Sequence, residues 1–233
     1  MHELSEIDFQ HASTLVCDQM QCQACGWIDR DRERMRKGHR CKVCNTESEG
    51  ARLAFSVNIS VLVNLCQEAY FSQPKLTTPY SPQSANIAPV LFFCTLRECL
   101  LNHFLQMHLR ALNVPGPLIE KLLDDNKLAN QKFGDLFTSV TGVKWDEAVK
   151  TASANASNDF KIVSELMRSA ATIRNKFLHE GHAWKSTREF ATECIDSLPQ
   201  LTQLFVTLNN VHTHPLLLKK LRVSAEQCNT YKS

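Results

Sequence analysis

Cys22-Gln23-Ala24-Cys25-Gly26 and Cys41-Lys42-Val43-Cys44-Asn45 are two cysteine doublets with fifteen residues between Cys25 and Cys41. A Cys-x-x-Cys turn aims its backbone N–H groups at its own sulfurs, and two such turns at this spacing bring four thiolates to one tetrahedral cation. The N-terminal segment must therefore fold back on itself, a demand that no other stretch of the chain makes so narrowly. The residue after each doublet tends to need positive φ for the turn to close. Gly26 adopts it without steric cost, and Asn45 adopts it more easily than most residues. Four unrelated thiols are the competing explanation, and the doubled spacing argues against it. Ten cysteines would suggest disulfides in a small exported domain. Met1 to Asp8, however, is acidic and lacks the apolar run of a secretory signal, so a cytoplasmic chain with bound metal is the expectation.

Four thiolates complete a tetrahedral shell and leave no position for water, so Cys22, Cys25, Cys41 and Cys44 read as ligands of a structural Zn2+. Residues 1 to 50 hold too little apolar material to fold unaided, and metal binding would supply the missing free energy. The segment looks like a zinc ribbon. Cys17 and His39 flank the quartet outside either doublet and read as bystanders. Between the doublets, Trp27 to Arg40 carries six Lys or Arg against three Asp or Glu. Such a loop can grip a phosphate backbone, while its alternating sign favours a solvated loop with internal ion pairs. Trp27 either stacks on a base or covers the first knuckle. The formal net charge is only +2, too small to attract nucleic acid through bulk electrostatics, so any basic surface must be local.

Beyond Gly50 the hydrophobic period becomes helical, and the chain reads as mainly α: a module over 1–50, a helical domain over 51–214 and a tail over 215–233. Val57 to Phe71 is the first expected helix. Residues 72 to 89 include Pro74, Pro79, Pro82 and Pro89 among Ser, Thr and Gln, the composition of a surface excursion. Val90 to Asn113 is a second long helix, interrupted by Arg97, Glu98, Asn102, His103, Gln106 and His108 and so unsuited to span a membrane. Arg97 and Glu98 fall on largely apolar stripes, and each needs a partner elsewhere in the fold. Shorter helices are expected over Leu118 to Asp125, over Lys132 to Val140 and near Asp146. Another long helix starts around Ser157-Asn158-Asp159 and buries Phe160, Val163, Met167, Ala170 and Phe177, with Arg174 on the same stripe. Ser186-Thr187-Arg188-Glu189 has the form of a capping box. It opens a last helix that buries Phe190, Cys194, Leu198, Leu201, Phe205 and Leu208 and kinks at Pro199. The tail reads as a peripheral helix or a frayed end.

Arg174-Asn175-Lys176-Phe177-Leu178-His179-Glu180-Gly181 closes the long helix that precedes the capping box. A guanidinium holds phosphate without titrating, and an imidazole moves protons near neutral pH, so the pair suits phosphodiester chemistry without a metal. These residues resemble the Arg-polar-x-x-x-His signature of HEPN domains, many of which are endoribonucleases. The resemblance covers about residues 52 to 212, and its specific part is the octet. It implies a HEPN-like helical bundle and a homodimer that joins two signatures through the helical domain. It also implies an acidic residue on the preceding long helix that holds the Arg, here Glu98. Five positions apart, Arg174 and His179 stand about 140° apart around an ideal helix. Either the chain turns at Gly181 or a second copy contributes.

The activity implied by the resemblance is RNA cleavage with the 2′-OH as nucleophile. Arg174 would bind the phosphate oxygens, His179 would act as general acid or base, and Asn175 would orient substrate or the partner signature. Glu98 would hold Arg174, while Lys176 and His182 would add phosphate contacts. No metal would take part in catalysis. Toxin or antiphage roles, with an antitoxin or other regulatory partner, are implied by the same resemblance, and no membrane association is expected. Two other classes stay open. Some HEPN domains bind nucleotide, nucleic acid or protein without cleaving, and the ribbon can itself be the functional end of a transcription-related adaptor.

Overall fold

The structure, a computed structural model, describes residues 16, 18–31, 33, 37–47, 52–72, 86–126, 128 and 131–230, with side chains to residue 224. Residues 1–15, Cys17, residues 73–85 of the expected excursion, and Arg32 and residues 34–36 of the inter-doublet loop lie outside the described residues. Helix dominates, with one small sheet. Strands β1 (Met20–Gln21), β2 (Ile28–Asp29) and β3 (Arg52–Leu53) precede α1 (Val57–Phe71), α2 (Ile87–Ala111), α3 (Gly116–Asp125), α4 (Phe137–Thr141) and α5 (Trp145–Ala156). The order continues with α6 (Lys161–Glu180), α7 (Arg188–Asp196), α8 (Leu198–Leu208) and α9 (His214–Thr230). π-helical turns at Lys132–Leu136 and Asn209–Thr213 lead into α4 and α9.

One compact unit contains Phe55–Leu100 and Asp159–Gln203. In it α1 buries Ile59, Val63, Cys66 and Tyr70, the three-and-four spacing of a single helix face. Tyr70 Oη lies 2.7 Å from Thr192 Oγ1, and the Arg188 guanidinium sits 3.5 Å above the Tyr70 ring. α2 starts at Ile87 rather than Val90 because Pro89 falls in the first turn, where a missing N–H has no helical partner to lose. Val90, Phe93, Leu96 and Leu100 of α2 are buried, as are Val163, Met167, Ala170 and Ile173 of α6. Of the residues expected to start α6, Ser157 instead ends α5 in the left-handed region, and Asp159 Oδ1 accepts the Lys161 N–H at 2.9 Å.

The capping box slides by one residue. Thr187, not Ser186, accepts the N–H of Phe190, at 3.2 Å. Hydrogen bonds from its own N–H and from Thr187 hold the Glu189 carboxyl below its ordinary value. α7 ends at Asp196, and Pro199 lies in the first turn of α8, so the expected kink is a break between two helices.

The other unit contains Asp18–Ala54, Leu101–Asn158 and Leu204–Ser233. Its core is aromatic: Phe104 stacks on Phe137 at 5.6 Å, and Trp145 meets Phe133 and Phe137 edge-on at 4.7 and 5.1 Å. β1 is the central strand, pairing antiparallel with β2 (Gln21 opposite Ile28) and with β3 (Gln21 opposite Arg52). His108 is buried, with Nδ1 3.2 Å from Thr213 Oγ1, and burial pushes its imidazole down to about 4. The compact units do not follow the boundaries expected at 50 and 214, because the cysteine segment is hydrogen-bonded to residues 209–214. α2 is long and apolar enough to cross a membrane by length and composition. More than half of its most apolar window is buried inside the protein, and Arg97 and His108 are among the helix's buried residues, as in a core helix.

Candidate functional site

The Sγ atoms of Cys22, Cys25, Cys41 and Cys44 all lie within 4.8 Å of one another. Cys22 Sγ is 3.8 Å from Cys44 Sγ, and Cys25 Sγ is 3.9 Å from Cys41 Sγ. Zinc bonded tetrahedrally to thiolates at about 2.3 Å holds its sulfurs roughly 3.8 Å apart, so the cluster is compatible with zinc. Both knuckles close by the same two bonds. Gly26 N–H donates to Cys22 O and Cys22 N–H to Trp27 O, each at 2.9 Å; Asn45 N–H donates to Cys41 O at 2.7 Å and Cys41 N–H to Thr46 O at 3.0 Å. Gly26 and Asn45 have φ of 73° and 57°, the left-handed backbone that the doublets require.

Within the cluster the thiols shift one another. A hydrogen bond from Cys25 pulls Cys22 down to about 4, the same contact and burial push Cys25 up, and burial pushes Cys41 up. One thiolate suppresses ionisation of its neighbours, and a central cation lets all four ionise together. His39 has its Nε2 3.4 Å from Asp31 Oδ2. Lys42 Nζ lies 3.6 Å from Asp29 Oδ2 and 3.9 Å from Asp31 Oδ2, ion pairs internal to the cysteine segment. Trp27 is half-buried; its Nε1 donates to Asp29 Oδ2 at 3.1 Å, and its ring meets edge-on, at 5.1 Å, the His214 ring that hydrogen-bonds to Cys25 O of the first knuckle.

The residues that hold this knuckle from outside are not apparent from the sequence. Asn210 uses both ends of its carboxamide on Ile28: Nδ2 donates to Ile28 O at 2.8 Å, and Oδ1 accepts Ile28 N–H at 2.9 Å. Asn209 Nδ2 donates to Gly26 O at 2.9 Å, and His214 Nδ1 donates to Cys25 O at 2.7 Å, which fixes the proton on that nitrogen. A Cβ at Gly26 would come within 2.5 Å of Leu217 Cδ1. The available signal is a polar run, Asn209-Asn210-Val211-His212-Thr213-His214, between apolar Phe205 to Leu208 and Leu216 to Leu218.

At the signature, Arg174 on α6 donates from Nη2 to Glu98 Oε1 on α2, with their side chains 25% and 30% exposed. Arg97, only 4% exposed, places Nη2 3.6 Å from the same oxygen and donates from Nη1 to Met167 O at 2.5 Å. Burial pulls the Arg97 guanidinium down from its ordinary value. It also pushes the nearby Cys94 thiol up to about 11, against the pull of Arg97 and Arg174. One carboxylate thus serves two guanidinium groups. α6 then stops at Gly181, φ 69°, whose N–H donates to Phe177 O at 2.9 Å. Asn175, Lys176, His179 and His182 are all exposed, and among the described residues no side-chain hydrogen bond or ion pair engages Asn175, Lys176 or His179. The structure therefore joins Arg174 and Arg97 through Glu98 and leaves Asn175, Lys176 and His179 exposed on the last turns of the helix, with His182 exposed just beyond its cap.

Comparison with known proteins finds no matching family model, no matching curated protein and no matching solved structure.

Proposed function

We propose that the chain is a metal-independent endoribonuclease of HEPN type, acting as a homodimer, with a structural Zn2+ on Cys22, Cys25, Cys41 and Cys44. The observation that carries this reading is the signature itself: Glu98 fixes Arg174 as a half-buried cation, while Asn175 and His179 stay accessible at a capped helix end. RNA supplies the nucleophile. An imidazole takes the 2′-OH proton, the 2′ oxygen attacks phosphorus, and the bond to the 5′ oxygen breaks as that oxygen gains a proton. The products are a 2′,3′-cyclic phosphate and a 5′-hydroxyl. Arg174 neutralises charge that builds on the non-bridging oxygens, His179 moves the protons, Asn175 orients substrate or the second signature, and Lys176 and His182 contact flanking phosphates. Arg174 and His179 diverge by about 140° around α6, so the Arg of one copy meets the His of the other. Four thiolates leave zinc no open position, and its role is to stabilise the fold. The setting is cytoplasmic, in toxin or antiphage defence, with an antitoxin or other regulatory partner controlling the site.

Cleavage of end-labelled RNA by zinc-loaded protein in EDTA tests this. Wild type is expected to leave 2′,3′-cyclic phosphate ends, and Arg174→Ala and His179→Ala to leave RNA intact with folding and zinc content unchanged. One observation favours a second reading, a non-catalytic RNA- or protein-binding module: among the described residues no side-chain hydrogen bond or ion pair engages His179. RNA left uncut by a folded, zinc-loaded dimer selects that reading.

A further inference from the structure

After Gly181 the chain makes a short turn whose ends are anchored and whose tip is not. Ala183 and Ser186 are buried, Ser186 N–H donates to Ala183 O at 2.8 Å, and the intervening Trp184 and Lys185 face solvent. Trp184 is 67% exposed, more than any other large hydrophobic side chain among the described residues. Keeping an indole in water forgoes the largest burial free energy that any side chain offers. A polar residue at the tip would leave the anchors untouched, so the fold does not require the ring. The ring lies edge-on to His182, with centroids 5.2 Å apart and planes at 74°.

The surroundings indicate the occupant. From residue 174 to 188 the sequence holds Arg174, Lys176, Lys185 and Arg188 against one carboxylate, Glu180; Arg174 is paired with Glu98 and Arg188 lies over Tyr70, which leaves Lys176 and Lys185 as the exposed cations nearest the turn. Lys176, His179, His182 and Lys185 are all exposed. The core of a protein–protein contact is depleted in charge and Lys is disfavoured there. An exposed aromatic face beside cations is instead how unpaired nucleic acid is held, with a base stacked on the ring and the backbone following the charge. Trp184 lies three residues beyond the Gly181 cap, at the helix end that carries His179.

We infer that Trp184 stacks on a base of single-stranded RNA beside the scissile phosphate, so that the site takes unpaired strands. A base already stacked within a duplex has no face to offer the indole. The substrate side of this inference rests on the ribonuclease reading.

Binding separates the two. Full-length, zinc-loaded protein carrying His179→Ala is titrated into fluorescein-labelled single-stranded RNA and followed by anisotropy. Trp184→Ala in that background is expected to weaken binding about tenfold, the scale of one base–aromatic stack. Trp184→Phe keeps most of the affinity, and a duplex of the same sequence responds to neither change. In the cleavage-competent chain Trp184→Ala raises KM for single strands and leaves kcat nearly constant. Equal affinity of the Trp184→Ala variant and its parent overturns the inference. So does loss of self-association in Trp184→Ala with single-strand binding intact, which assigns the ring to a contact between copies. A protein that cleaves RNA indifferently to Trp184 refutes stacking and leaves the nuclease standing; one that binds single strands through Trp184 and never cleaves does the reverse.

Discussion

The cysteine cluster and the signature helix end differ in how much of each a single copy of the chain builds. At the cluster four donors converge, each knuckle is closed by its own backbone, and Asn209, Asn210 and His214 hold the first knuckle from outside. At the signature the described residues build the anchoring part: Glu98 fixes Arg174 beside buried Arg97, while Asn175 and His179 are exposed. A site complete in itself suits an ion that stays. A site half built and half open suits something that arrives, whether a substrate, a second copy or both.

Emptying the cluster tests the comparison most severely. Structural zinc in small domains supplies apparent binding free energies of about 10–16 kcal/mol. Cys25→Ser is therefore expected to lose the metal and to expose residues 18–54 and 209–214 to rapid hydrogen exchange, whereas Arg174→Ala keeps the zinc. Full metal occupancy in Cys25→Ser would sink the four-ligand account.

Glu98→Gln comes next. It leaves Arg97 and Arg174 side by side without their carboxylate, and breaking such a partly buried cluster costs about 3 kcal/mol. Urea unfolding should show that loss, and Glu98→Gln combined with Arg174→Gln should recover part of it. An unchanged midpoint in the single variant would mean that the anchoring half is not structural.

Acid acts on the aromatic unit through His108. Its folded value is pushed from 6.5 to about 4 by burial, so the unfolded chain takes up the proton first. Stability present above pH 6.5 is lost progressively towards pH 4, with about 2 kcal/mol gone by pH 5. His108→Gln should flatten that part of the profile; a slope identical to wild type between pH 6.5 and 5 would contradict the burial argument.

The smallest effect compares two glycines with the same backbone. Gly26 and Gly181 have φ of 73° and 69°, yet a Cβ meets Leu217 Cδ1 at 2.5 Å in the first and nothing within 4 Å in the second. Alanine at either adds left-handed strain of about 1 kcal/mol, and only Gly26→Ala must also displace Leu217. Equal changes in melting temperature would show that Leu217 yields freely.

The parts of the fold that depend on local rules are legible in the sequence. α1 occupies Val57–Phe71 because its apolar period is unbroken, and Gly26 and Asn45 take positive φ because the doublet turn demands it. The apolar stripes show that Glu98 and Arg174 each need a partner, and the resemblance is what points them at each other. The rest depends on geometry that a 3.6-residue period does not encode. A π-turn over Asn209–Thr213 resets the helical register and so re-aims Asn209, Asn210 and His214 at the knuckle. Thr187 rather than Ser186 caps α7, and Ser186 is buried with its N–H on Ala183 O. Trp184 is apolar by type and exposed only because that turn holds it outward.

The central claim, that the signature site is finished by a second copy, is tested most directly by mixing. Arg174→Ala and His179→Ala proteins, each inactive alone and each dimeric, are combined, allowed to exchange subunits and assayed on single-stranded RNA. The account predicts that cleavage returns in the mixture, because one composite site regains an intact Arg174 and an intact His179 from different copies. A mixture that exchanges subunits and stays inactive, while wild type cleaves, would contradict it and place both residues' work within a single chain.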